Sequence, residues 1–155
     1  MAIASTSAGL VRSYELTELS IGGLSLKEKP SQELKANEVR VKVHAVSLNY
    51  RDLMMVTGAY NPRLKLPMTP CSDGAGEVVE VGEAVKKWKA GDRVMAAFMP
   101  EWLSGRLTEA AGRSALGGGG VGMLADSVVL NEEAFVKIPD HLSFEEAATL
   151  PCAAV

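Results

Sequence analysis

Cysteine is scarce in this sequence. Cys71 and Cys152 are the only two, they lie far apart, and neither belongs to a C-x-x-C pair. That excludes a disulfide framework and a zinc knuckle, and a reducing, cytoplasmic setting is expected. Long apolar runs are missing as well: nowhere do roughly 18 apolar residues follow one another, the least that suggests a membrane-spanning helix. The opening stretch MAIASTSAGLVR has no basic residue ahead of its short apolar run, which makes it a poor secretory signal; residues 1–12 are expected to form a flexible tail. Excess positive charge is also absent. With 16 Lys+Arg against 19 Asp+Glu, the net charge of -3 gives no general attraction to nucleic acid. Neither His44 nor His141 has a ligand-type partner at useful spacing. A soluble protein with no nucleic-acid or membrane partner is the expectation.

What is present is an ordinary globular domain: 155 residues, 47% apolar and 23% charged, enough chain to bury a real core. Val39, Val41, Val43 and Ala45 alternate with Arg40, Lys42 and His44, the period of a strand with one buried and one wet face. The valines and Ala45 are assigned to the buried face, His44 to solvent. Residues 13–19 and 24–29 flank Ile21-Gly22-Gly23 as a hairpin, and 31–38 reads as a surface turn. Residues 52–58 form a short helix ended by Gly58, which places Asn49 to Asp52 at a strand-to-helix junction. Further strands are expected over 76–81, 92–98, 123–130 and 134–138. Ser143 with Glu146 three residues later makes a capping box, so a helix starts there. Strands dominate, and turns punctuate them about every 8–12 residues, as in a barrel or sandwich.

The run ALGGGGVGMLAD contains Gly117, Gly119 and Gly122 in the G-x-G-x-x-G spacing of a dinucleotide fingerprint, with Asp140 near the place of a ribose-binding acid. The fingerprint needs a buried strand before it and a helix after it. Residues 108–116, TEAAGRSAL, contain no such strand, so the run reads as an exposed loop where glycine is tolerated because little packs there.

Five ordered motifs, AVSLNYRD (45–52), SDGAGEVVEVG (72–82), GDRV (91–94), IPD (138–140) and AATLP (147–151), together resemble the N-terminal catalytic domain of medium-chain dehydrogenase/reductases, in the quinone-oxidoreductase-like and alcohol-dehydrogenase-like branch. The resemblance implies a mainly β fold over residues 13–155, the GroES-like partly open β-barrel with a few short helices. It implies a parent enzyme that uses NAD(P)H, acts on a small-molecule carbonyl and forms a homodimer. It also implies a chain truncated before the Rossmann domain, inactive alone and binding no cofactor tightly. In zinc-dependent members a cysteine matches Asn49, a His-Glu pair matches Ser72-Asp73, and a later cysteine lies near Cys152. Asn49 and Ser72 supply neither thiolate nor imidazole, so no metal is expected.

Without zinc, reduction of a quinone or enone is the chemistry that side-chain donors can support, because the developing charge spreads over a conjugated system. Asn49 and Tyr50 are the catalytic candidates for carbonyl polarisation or proton supply. Tyr60, Asp73 and Cys152 are the substrate-binding candidates, and the resemblance also places Asn49 beside the nicotinamide. Plainer roles stand beside these: Asn49 as a helix cap, Tyr50 and Tyr60 as half-buried aromatics, Asp52 as a helix-start or ion-pairing residue, Asp73 as a turn residue, Cys152 as a small buried hydrophobe. Two rival functions remain open, a non-enzymatic GroES-like binding module and a detached piece of an enoyl reductase.

Overall fold

The computed structural model describes residues 9–154. Leu10–Leu16 (β1) and Leu24–Pro30 (β2) form an antiparallel hairpin. A 3-10 turn at Ile21–Gly23 joins them, where the Ser20 hydroxyl accepts the Gly23 N–H at 3.0 Å. The first strand starts before the end of the expected tail: Arg12 lies opposite Glu28, and its guanidinium is bonded to Asp126. The remainder of that tail, residues 1–8, lies outside the described residues.

Five strands make the main sheet: Glu38–Ser47 (β3), Asp73–Val81 (β4), Arg93–Ala96 (β5), Ser127–Asn131 (β6) and Phe135–Lys137 (β7). Their order is β6-β3-β4-β5-β7 with every neighbour antiparallel, and the sheet does not close on itself. The fold is mainly β and partly open. Among the described residues three short α-helices accompany it: Tyr50–Val56 (α1), Glu109–Arg113 (α2) and Phe144–Ala148 (α3). The sequence reading did not include α2. Its start signal is nevertheless present, because the Thr108 hydroxyl accepts the Ala111 N–H at 3.2 Å, the usual N-cap bond.

The period of two in β3 breaks at His44. The register passes from Val43 opposite Gly76 to Ala45 opposite Ala75, a bulge that inserts one residue and turns the rest of the strand over. Val39, Val41 and Val43 face the main core with Val78, Val94, Val128 and Phe135, and Val46 rejoins it. Ala45, assigned to that same face by alternation, instead packs on the opposite side with Ala75, Ile138 and Ala148, under α3. His44 is exposed as expected, and its ring stacks on Phe144 at 4.5 Å.

The glycine run is a loop, but not one where little packs. Its flanks, Leu116 and Met123, are among the most buried side chains and belong to the main core. Burying each contributes roughly 1.5–3 kcal/mol, which fixes both ends of the loop while Gly119 to Val121 stay exposed.

Candidate active site

Strand pairing builds the site. Ser47, the last residue of β3, lies opposite Asp73, the first of β4, so the chain turning into α1 passes beside the start of β4. Asn49 occupies the extended N-cap position of α1. Its side chain stands in a capping box with Asp52, and its Nδ2 donates to Asp73 Oδ2 at 2.7 Å. Its backbone N–H donates to Asp52 Oδ2 at 2.8 Å. One residue thus bridges two carboxylates, both almost fully buried, Asp73 at 0% and Asp52 at 6% exposure.

The surroundings hold polar atoms that the fold leaves unsatisfied. Among the described residues five buried side-chain atoms have no hydrogen-bond partner, and four are here: Arg51 Nε, Asp52 Oδ1, Ser72 Oγ and Asp73 Oδ1. An orphaned buried polar atom costs about 1–3 kcal/mol, so their convergence marks a place not optimised for stability alone. Arg51 is the nearby cation, and it is not ion-paired among the described residues. Its guanidinium donates to the Leu116 carbonyl at 3.1 Å and lies over the rings of Phe98 and Tyr60, at 5.0 and 5.5 Å. Burial pushes the Asp73 carboxyl above the ordinary aspartate range, against the pull of the Asn49 amide. Burial likewise raises Asp52, against the Asn49 N–H and Arg51. The Cys71 thiol is pushed up to about 12, first by burial and then by the two carboxylates.

The segment that presents Asp73 is strained and clamped. Cys71 has φ 70°, in the left-handed region that non-glycine residues seldom occupy. The glycine run holds it there: Met123 N–H donates to the Cys71 carbonyl at 2.8 Å. A Cβ on Gly117 would lie 2.7 Å from the Cys71 backbone, and one on Gly122 would lie 2.1 Å from the Thr69 carbonyl oxygen.

Of the residues predicted from sequence, the structure brings Asn49, Asp73 and Cys152 together. Cys152 is half-buried, and its backbone N–H favours the charged form of Asp73. Its own thiol is raised by burial and then by Asp73. Tyr60 joins the group through Arg51. Tyr50 stands apart, 78% exposed on the first turn of α1, which is not the half-buried position of its plainer reading. Tyr60 is also exposed, at 57%. Arg51, Phe98 and Ser72 were not singled out as site residues, and Asp52 was read as a helix-start or ion-pairing residue; among the described residues it makes no ion pair. Its capping-box spacing from Asn49 carried the signal. Two surface clefts, of about 200 and 390 Å³, flank Ser13 where the hairpin meets the sheet, away from Asn49 and Asp73.

The donor set does not suit the groups that a dehydrogenase resemblance implies. A zinc site needs three N, S or carboxylate ligands; here Asn49 is bonded to Asp73, Ser72 is a hydroxyl, and among the described residues no three His, Cys, Asp or Glu side chains are placed so that they could hold one metal ion. A pyrophosphate cradle needs free N–H groups at a helix start. The glycine run instead follows α2, precedes β6, and turns its Gly117 N–H onto the Val121 carbonyl at 2.9 Å.

Comparison with known proteins fits this architecture. The model of the alcohol dehydrogenase GroES-like domain matches residues 35–140. A zinc-type alcohol dehydrogenase-like protein of Schizosaccharomyces pombe is 49% identical over 80% of this chain and 36% of its own length. A chloroplast envelope quinone oxidoreductase homolog of Arabidopsis thaliana is 41% identical over 84% of this chain and 35% of its own. The solved quinone oxidoreductase of Coxiella burnetii superposes with a TM-score of 0.73 at 26% identity, covering 94% of this chain and 42% of that one. The chain spans about a third of the length of the curated relatives it matches.

Proposed function

The chain belongs to the alcohol dehydrogenase GroES-like domain family, within the medium-chain dehydrogenase/reductases, and on that premise we propose that it is the substrate-handling catalytic domain of a zinc-independent oxidoreductase reducing a quinone, enone or other carbonyl. The observation that carries this reading is Asn49, an amide held by Asp73 at a strand-to-helix junction, with exposed Leu48 and Tyr50 on either side in the chain. NAD(P)H, when bound, supplies a hydride to the substrate carbon. The glycine run, with its Gly117 N–H already bonded to the Val121 carbonyl, would not hold the cofactor's pyrophosphate. One Nδ2 hydrogen of Asn49 fixes the amide on Asp73, which leaves the second to polarise the substrate oxygen. Tyr60, carried on Arg51, walls the substrate, and Cys152 lines the inner edge beside Asp73.

Conjugated acceptors suit this arrangement because their charge spreads as it develops, so one or two neutral donors suffice where an isolated ketone would want a Lewis acid. The test is a titration of isotope-labelled chain with a water-soluble benzoquinone and with an α,β-unsaturated ketone, followed by NMR. The expected result is reversible shift changes at the Asn49 side-chain amide and at Tyr60; perturbation at neither, by either compound, overturns the reading. Equilibrium dialysis against zinc is expected to leave no stoichiometric metal on the chain, and stoichiometric retention overturns zinc independence.

A further inference from the structure

We propose that Asp52 and Asp73 form one proton-holding pair, bridged by Asn49, whose retained proton keeps negative charge away from the amide that faces the substrate. The inference rests on the carbonyl-reductase reading of the same site and adds Asp52 to it as a positioning residue that acts through Asn49.

Three observations lead there. Both carboxylates are buried, and each keeps one oxygen, Oδ1, outside any hydrogen bond of good geometry, while the Ser72 hydroxyl and Cys152 N–H near Asp73 and the Ser72 N–H near Asp52 oppose burial only in part. Both use their other oxygen on the same residue, Asp52 on the Asn49 N–H and Asp73 on Nδ2. The cation alongside, Arg51, is turned onto the Leu116 carbonyl and two aromatic rings rather than onto either carboxylate. Two buried charges facing one unpaired guanidinium leave an uncompensated negative charge, which a low-dielectric site resolves by keeping a proton. The titratable and charged groups that face the pair are Arg51 from α1, Cys71 ahead of β4, and Cys152 after α3. Both thiols are raised and stay neutral at physiological pH, so only Arg51 contributes charge.

The consequence for chemistry is electrostatic. Hydride delivery to a conjugated carbonyl places negative charge on its oxygen, and a doubly ionised pair behind Asn49 would oppose that charge. A pair that keeps one proton opposes it less, and Asn49 can donate fully. The proton stays in the pair and is not consumed. The charge of Asp73 adds to burial in raising Asp52, so the proton is assigned to the pair and not to one residue.

The test is a pH titration of the full chain with labelled aspartate carboxyl carbons observed by NMR, without substrate. Two separated, coupled steps are expected for Asp52 and Asp73, the later one above the ordinary aspartate range. In Asp73→Asn, the Asp52 step is expected to move down towards that range, since its partner's charge is gone. Both carboxyls titrating together within the ordinary range, or an Asp52 step unmoved by Asp73→Asn, would overturn the pair. The wild-type titration needs no variant to fold. It is also independent of substrate binding, so the pair can fail while quinone or enone binding survives, and the reverse.

Discussion

Gly117 and Gly122 show how much a single missing methyl group determines here. Gly117 has φ 63°, and a Cβ at either position would collide with backbone of the 69–71 segment; backbone cannot move aside as a flexible side chain can. Gly122→Ala is therefore expected to destabilise the chain by roughly 2–4 kcal/mol or to distort Cys71 and Asp73 behind it. Gly120, with nothing within 4 Å of a built Cβ, is the matched control: Gly120→Ala should change stability by less than about 1 kcal/mol. Urea melts of the two variants check this, and equal effects would contradict the clamp. The thiols give a second test at this scale. Cys71 is buried with its thiol at about 12, whereas Cys152 is half-buried. A thiolate-specific reagent at mildly alkaline pH should modify Cys152 first, and Cys71 only when the chain opens. Simultaneous modification of both in the folded chain would show that the 69–73 segment is not held as described.

The elements divide by how local their determinants are. The α3 start was readable because Ser143 and Glu146 make their bonds within four residues: the Ser143 hydroxyl accepts the Glu146 N–H at 3.1 Å, and Glu146 accepts the Ser143 N–H at 2.8 Å. Ser143→Ala is expected to cost about 1 kcal/mol, measurable by thermal unfolding, and a neutral outcome would mean that α3 is held by Ala147 and Ala148 packing alone. The bulge at His44 was not readable, because apolar and polar residues keep alternating through it; what turns Ala45 over is its pairing with Ala75 on another strand. The glycine run failed in the same way. Its spacing matched a nucleotide loop, and its distance from a strand excluded that reading, yet nothing local showed that Leu116 and Met123 would be core residues. Asn49 and Asp73 were legible as site candidates through the motif resemblance. Their direct bond, and the part of Asp52 in it, depended on the β3–β4 register and became visible only with the fold.

At the scale of the whole molecule, these local facts set how stability responds to pH. Burial raises the folded-state carboxyls of Asp52 and Asp73 above their unfolded values, so between the ordinary aspartate range, near about 3.9, and the raised values the folded chain binds more protons than the unfolded one. Stability must then fall as pH rises through that window and level off above it. Asp126, Glu132 and Glu146 are shifted the other way, by the Arg12 guanidinium, the Lys86 and Lys87 N–H groups, and Ser143 respectively. Their stabilisation is lost as pH falls through their folded values, and as surface groups they contribute little. Both sets thus favour the folded chain most at acidic pH above the folded values of the lowered carboxylates and below those of the raised ones. Urea midpoints should therefore be higher at about pH 5 than at about pH 7.5, given two buried carboxyls that release protons late. Asp73→Asn removes one titrating group while leaving Asn49 an amide oxygen to bond, so it should flatten that slope by raising the neutral-pH midpoint more than the acidic one. A wild-type midpoint that rises steadily from pH 5 to 7.5 would mean that both carboxylates are ionised in the folded chain. The charge on Arg51, which already favours the ionised form of both, would then outweigh their burial even though its guanidinium is turned towards Leu116, Phe98 and Tyr60.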